Sequence, residues 1–266
     1  MINLVGIGGT GCALVGQLSQ YPQYKTVEID EDRNIEKRKG PEEYEKNCPS
    51  FKKLFKGMKG ETWVMLSAAG NISGILLRVL EQLNGEKNVL CVTTDSSLLS
   101  SVGKLQQKLV VGVLQQYARS GLLERLLLVD NSRVEELMGE VPLDEYWAKI
   151  NEIITYSFHS VMCFRHTKPV METKEEKNEI TRIGTLGLYG EDKKKKLFYD
   201  LAHITTERYH YSFSKQDIKG NGKILPTIKR DLSVEDNITK TFAIYESERT
   251  DPYAYLEAST HIIEGS

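Results

Sequence analysis

The chain has 266 residues, of which 40% are hydrophobic and 27% charged. That is a globular composition, long enough for one large domain or a main domain with a smaller companion. With 35 Lys and Arg against 37 Asp and Glu the formal net charge is −2, so bulk charge offers no attraction to nucleic acid or an anionic membrane, and nucleic acid is not expected as a partner. No uninterrupted apolar run approaches transmembrane length. Cys12, Cys48, Cys91 and Cys163 are widely spaced, with no CxxC pair and no His close enough to complete a zinc module, so no protein-built metal site is expected. Reduced thiols and a cytoplasmic setting are the corresponding expectation.

Taken in chain order, residues 2–6 form a short apolar run that reads as a strand, without the basic residues or cleavage site of a leader. A glycine cluster follows, and residues 12–18 read as helix. Residues 25–29 suit a second strand ending in acids. Residues 33–60 are rich in Lys and Glu and broken by Gly and Pro, which predicts a polar surface segment with one or two short helices. Residues 63–67 read as a buried strand, and Ile75, Leu76, Val79, Leu80 and Leu83 share one helical face. Residues 89–93 and 126–129 read as further strands, separated by a long amphipathic stretch at 98–117. This alternation predicts a parallel sheet covered by helices on both faces. Residues 143–164 read as one long helix. Beyond Pro169 the spacing predicts a helix near 192–205 and β-like runs at 209–213, 224–228, 241–245 and 255–263. No internal repeat is evident.

The sharpest local signal is Gly6-Ile7-Gly8-Gly9-Thr10-Gly11. Glycines let backbone approach a phosphate and adopt positive φ, and the helix that follows supplies unpaired amides and a positive dipole end. Gly6, Gly8 and Gly11 fit the G-x-G-x-x-G form of a dinucleotide turn, and Glu28 or Asp30 lies at roughly the 20-residue spacing expected of a ribose-binding acid. The same acid-rich stretch faintly resembles ThiF-type adenylylating enzymes, whose catalytic Cys and CxxC pairs are absent here. A tight strand–helix turn without a ligand is the plain alternative.

Beyond residue 60 the order of elements resembles the tubulin/FtsZ superfamily. The first glycine turn matches that family's N-terminal nucleotide loop. The segment Ser67-Ala68-Ala69-Gly70-Asn71-Ile72-Ser73-Gly74 stands where the family carries G-G-G-T-G-[ST]-G, and only Gly70, Ser73 and Gly74 keep its character. The strand at 126–129 with Asn131 resembles the segment whose Asn contacts the nucleotide base, and the helix at 143–164, with Asn151, resembles the long core helix. The resemblance implies a Rossmann-like parallel sheet flanked by helices, a long core helix and a smaller C-terminal α+β domain. It implies a division into residues 1–142, 143–164 and 165–266, the last with an assembly loop. It also implies GTP or GDP as ligand, with or without Mg2+, held by Gly6, Gly8, Gly9, Thr10, Gly11, Gly70, Asn71, Ser73, Gly74, Asn131 and Asn151.

In the family, acids after the core helix complete catalysis on the next subunit's nucleotide. Here Arg165-His166-Thr167-Lys168-Pro169 follows, and the nearest acids, Glu172, Glu175, Glu176 and Glu179, do not fit that pattern. Hydrolysis needs an oriented water and stabilised charge. The expectation is therefore a homo-oligomer or filament with weak or lost GTP hydrolysis, no catalytic residue being assigned. A Rossmann-type dinucleotide- or ATP-using enzyme and a nucleotide-free scaffold are the alternatives. The run Lys193-Lys194-Lys195-Lys196 reads as a solvated helix face, and the five histidines as packing or surface residues. Cys12, at a helix start, reads as a small buried side chain.

Overall fold

A computed structural model of the chain describes residues 1–173, 180–190, 192–233 and 237–263. The elements of the first part are β1 (Ile2–Ile7), α1 (Gly8–Leu18), β2 (Tyr24–Ile29), α2 (Pro41–Lys46), β3 (Thr62–Ser67), a 3-10 turn (Asn71–Ile75), α3 (Leu76–Gln82), β4 (Lys87–Thr93), a second 3-10 turn (Ser96–Leu98), α4 (Ser101–Arg119), β5 (Arg125–Asp130), α5 (Asn131–Glu135) and α6 (Tyr146–Arg165). After these come β6 (Met171–Glu172), β7 (Ile183–Gly190), β8 (Lys195–Leu197), β9 (Thr206–Phe213), α7 (Lys215–Gly220), α8 (Ile224–Leu232), β10 (Thr239–Glu246) and β11 (Tyr253–Thr260).

Strand alternation sends neighbouring residues to opposite faces, and here both faces are buried. Val5, Ile7, Val64, Leu66, Val89, Cys91, Leu126 and Leu128 pack on one side with Val79, Leu80 and Leu114 of α3 and α4. Leu4, Trp63, Met65, Leu90, Val92, Leu127 and Val129 pack on the other with Leu14 and Leu18 of α1 and Ile154, Phe158 and Val161 of α6. This is why the strands read as near-continuous apolar runs. Full burial of each such side chain contributes about 1.5–3 kcal/mol. Trp63 and Phe158 meet edge to face at 5.1 Å, fixing α6 against the sheet.

The strands form one sheet in the order β2-β1-β3-β4-β5-β7-β11-β9-β10-β6, with β8 beside β7. The parallel arrangement expected from the sequence holds from β2 to β5. Only two residue pairs, Leu126–Ile183 and Leu127–Gly184, join β5 to β7 in parallel. Beyond them the sheet is mixed: β11 is antiparallel to β7 and β9, β10 is parallel to β9, and β6 is antiparallel to β10. Helices separate the parallel strands, whereas β7 turns straight into β8 as a hairpin at Gly190.

Two local expectations are corrected. Among the described residues of 192–205 there is a turn and an edge strand, not a helix, and Lys193 has a φ of 58°. Lys193 pairs with Asp231, and Lys195 reaches the fully buried Glu207 at 2.7 Å. Glu191 lies outside the described residues. Residues 224–228, expected as a strand, begin α8, whose Ile224, Leu225, Ile228 and Leu232 pack on Tyr209, Phe242, Ile244 and Leu256. Pro226 falls in the first helical turn, where its missing N–H costs nothing.

At the end of α6, the buried Glu257 of β11 accepts from Arg125 at 2.5 Å and pairs with His210 at 2.9 Å, with Arg165 at 4.0 Å. Burial opposes its charge, yet Arg165, Arg125 and His210 hold its carboxyl well below the usual value. The group ties the parallel strands, α6 and the mixed strands together.

Candidate functional site

Because β1 to β5 are parallel, their carboxyl ends share one edge. Ile7 stands opposite Leu66, Ser67 opposite Val92, and Thr93 opposite Asp130. The loops leaving this edge hold both glycine segments and Asn131, so residues far apart in sequence converge where α/β sheets bind ligands. The helices α1, α4 and α6 run back from this edge towards the other end of the strands.

The first turn divides its glycines by task. A Cβ on Gly6 would stand 2.5 Å from the carbonyl oxygen of Gly11, and one on Gly11 would overlap the carbonyl of Met65. These two glycines let α1 press onto β1 and β3. Gly8 has a φ of +69° and opens the helix. Gly9 is exposed, and a Cβ there would meet nothing within 4 Å. The first turn of α1 has no side-chain cap and no acid. Its amides therefore face outward with the positive end of the helix dipole, an arrangement suited to an anion. Thr10 is partly exposed beside them.

Cys12 is buried, with its thiol directed at the carbonyls of Gly6 and Ile29. Burial, reinforced by Asp30, raises its pKa, in keeping with the reading of a small buried side chain rather than a reactive thiol.

The second segment is more committed to internal contacts. Ala68 is fully buried in the core, with its amide bonded to Val92, so its methyl does not face the edge. Ser73 is buried, accepting from Nε2 of Gln106 at 2.9 Å and facing the Ala68 carbonyl at 3.4 Å. A Cβ on Gly74 would overlap the carbonyl of Pro41, so that glycine admits α2. Gly70 has room, its nearest neighbour being the Ile72 side chain at 3.9 Å. Asn71 is exposed, with a 3.5 Å contact to the Lys39 carbonyl. Ile72 leans across to Gly8, where an added Cβ would come within 2.6 Å of its Cγ2. That contact joins the two segments, and nothing in the sequence signals it.

Asn131 opens α5 from the carboxyl end of β5. Asp130 caps the helix, its carboxylate accepting from the Ser132 amide at 2.9 Å. Asn131 is 91% buried, and its Oδ1 has no hydrogen-bond partner among the described residues. An orphaned buried acceptor carries a desolvation cost unless a ligand donates to it.

Asn151 is half-buried on α6. It lies between Ala148, whose carbonyl is 3.5 Å from Gln17 Nε2, and Thr155, whose hydroxyl donates to Gln17 Oε1 at 2.8 Å. The stripe containing Asn151 therefore faces α1. By the helical rise, Gln17 is about 13 Å along α1 from Gly8, so Asn151 sits well down the α1–α6 seam from the turn. Tyr146, not singled out by sequence, stands nearer the edge. Burial and its bond to the Glu135 carboxylate push its phenol up to about 12, with Asp95 adding to the shift.

The two acids proposed for ribose are both engaged. Glu28 binds the guanidinium of Arg33, and its carbonyl accepts from Asn34 at 2.8 Å. Asp30 accepts from the Glu31 amide at 2.8 Å.

At the end of α6, Arg165, His166, Thr167 and Lys168 are exposed, and His166 pairs with Glu61 at 2.9 Å. Glu172 is elsewhere, on β6, bonded to Arg208 at 2.9 Å. Glu175, Glu176 and Glu179, with the run Lys174–Lys177, lie outside the described residues. Among the described residues no three His, Cys, Asp or Glu side chains are grouped to hold a metal ion. None of the described helices is long and apolar enough to cross a membrane, and all four cysteines are free.

No protein-family model matches the sequence, and no curated protein matches it significantly. Solved structures do match in three dimensions. An empty FtsZ dimer of M. jannaschii superposes with a TM-score of 0.71 at 12% identity, over 97% of this chain and 88% of that one. A GTPγS-form protofilament of TubZ from Bacillus thuringiensis serovar israelensis gives 0.65 at 12% identity, over 97% and 86%. A GTPγS-bound protofilament of CetZ2 from Haloferax volcanii gives 0.60 at 14% identity, over 97% and 92%. The chain thus has the mixed α/β fold of FtsZ and TubZ, with its central sheet flanked by helices.

Proposed function

We propose that the chain binds a guanine nucleotide, GTP or GDP, at the carboxyl edge of its parallel strands and stacks head to tail into filaments, with weak or absent hydrolysis. The observation that carries this reading is the meeting, on one edge of an FtsZ-like fold, of an uncapped glycine turn and a buried Asn131 with an unpartnered Oδ1. Gly9, Thr10 and the amides opening α1 would hold phosphate. Asn131 would accept from the base, and Gly70 would leave room beside them. A magnesium ion would then rest on phosphate oxygens and water rather than on a protein cage. The protofilament structures of TubZ and CetZ2 with this fold support head-to-tail assembly here. Such a heterologous contact propagates instead of closing.

Weak hydrolysis follows from the engaged acids. Glu61 is paired with His166 and Glu172 with Arg208, and neither is left to orient a water in the manner phosphoryl transfer needs. The dinucleotide alternative loses support from the strand order β2-β1-β3-β4-β5, which is not the 3-2-1-4-5-6 order of the paired mononucleotide halves. Light scattering and electron microscopy with and without GTP test assembly, and phosphate release measured in parallel tests turnover. Filaments that require GTP and release phosphate only at background rate are expected. Monomers under every nucleotide, or closed two-fold dimers alone whatever the nucleotide, would contradict the filament reading.

A further inference from the structure

The two ends of α6 lie at opposite edges of the parallel strands. Its first turn stands at the carboxyl edge, where Tyr146 bonds to Glu135 of α5 and lies near Asp95 beyond β4. Its last turn stands at the amino edge. There His166 pairs with Glu61, the residue before β3, and His159 contacts Tyr24, the first residue of β2. Over its 20 residues the helix spans about 30 Å between the two edges.

These ends carry opposite charge. Residues 135–145 contain Glu135, Glu136, Glu140, Asp144 and Glu145, all exposed, and no Lys or Arg. Glu136 pairs with Arg133 and Glu135 bonds to Tyr146, whereas Glu140, Asp144 and Glu145 have no ion-pair partner among the described residues. At the amino edge Lys52, Lys53, Lys56, Lys59 and Lys168 are exposed and also have no ion-pair partner among the described residues. Phe51, Phe55 and Met58 are buried in the core, which turns the first four of these lysines outward. Asn3 of β1 donates to the Lys59 carbonyl at 3.1 Å, and Lys25 of β2 donates to that of Lys56 at 3.1 Å, fixing the segment at this edge. Lys59 stands two residues before Glu61, the partner of His166, so the lysine segment and the end of α6 form one basic surface. Glu86 and Glu124 are exposed on the same edge and do not offset it.

We propose that this polarity joins one copy of the chain to the next: the basic amino edge of one copy, through Lys59 and Lys168, docks on the acidic segment 140–145 of another. This contact rests on the head-to-tail stacking proposed above and supplies its driving charge. A displacement along α6 brings the last turn of one copy's helix onto the first turn of the next, so the two patches meet by translation alone. Opposite charge at opposite ends selects a second copy in the same orientation, since two amino edges or two acidic segments repel. The contact is heterologous and repeats.

Light scattering and electron microscopy of the full chain with GTP, from about 50 to about 500 mM salt, test this. Filaments should form at low salt, and their critical concentration should rise roughly tenfold or more across that range. Lys59→Glu with Lys168→Glu, and separately Glu140→Lys with Asp144→Lys, should each raise it by at least about tenfold, because the facing patches then share one sign. All four positions are exposed, and thermal melts with calorimetry should show folded variants that still bind GTP. Mixing the two variants should restore filaments in which they alternate, a result that misfolding cannot produce. Should a variant misfold, the salt series on wild type decides. Wild-type filaments indifferent to salt, variants that assemble alone as wild type does, or folded variants that fail to assemble when mixed would each overturn the proposal and leave the nucleotide reading standing. Wild-type monomers with every nucleotide would overturn both this contact and the stacking on which it rests.

Discussion

The two glycine segments at the carboxyl edge do different jobs with similar residues. In the first, Gly6 and Gly11 serve packing, Gly8 serves the turn, and Gly9 is left facing open space. In the second, Ser73 is bonded to Gln106, Gly74 admits the Pro41 carbonyl, and Ala68 is part of the core. Only Gly70 keeps comparable room. A glycine in a nucleotide-like turn is informative only once its neighbours are known. Some glycines exist so that backbone can meet backbone, and others leave space that a ligand can use.

The largest expected effect separates glycines within the first turn. Gly11→Ala drives a methyl into the Met65 carbonyl and should destabilise the fold by about 3 kcal/mol or more. Gly9→Ala should leave stability within about 1 kcal/mol. Urea titrations of both variants check this, and equal stabilities would remove the division of tasks. Asn131→Ala should weaken guanine-nucleotide binding roughly tenfold, the loss of one buried hydrogen bond. Its stability should change by only about 0.5 kcal/mol, because Oδ1 has no partner to lose. Calorimetry and thermal melts read the two quantities separately.

Ser73→Ala should do the reverse, costing about 1 kcal/mol of stability through the Gln106 bond while nucleotide affinity stays nearly constant. A large affinity loss with intact stability would give the second segment a ligand role that its contacts do not suggest. The smallest effect is on pH dependence. The raised folded pKa of Cys12 makes its contribution complete below the ordinary thiol value, about 8.5, and lost as pH rises through the higher folded value. Cys12→Ala should therefore flatten the alkaline decline in stability relative to wild type, and an unchanged slope would count against the buried neutral thiol.

Much of the first half was legible in the sequence, because strands buried on both faces produce apolar runs and glycine turns punctuate them. The second half was harder to read. Residues 224–228 look β-branched in a short window, and only the continuation to Leu232 shows the helical stripe. The lysine run at 193–196 gives no hint that Lys195 neutralises a buried Glu207, since that pairing depends on β8 folding back beside β7. At the proposed site, Gly9 and Asn131 could be singled out from motif and element order. The orphaned acceptor of Asn131, the lean of Ile72 over Gly8 and the position of Tyr146 beside Glu135 are long-range contacts that no local pattern encodes.

In the proposed function the first turn, through the space at Gly9, receives nucleotide phosphate. Isothermal titration of GTP, GDP, ATP and NAD into wild type and Gly9→Asp tests it most directly, with a thermal melt to establish that the variant is folded. Guanine-selective binding by wild type and at least about a hundredfold weaker binding by the folded variant are expected. That is roughly 2.7 kcal/mol for a carboxylate set against phosphate. Equal binding by the two proteins, or preference for the dinucleotide, would contradict it.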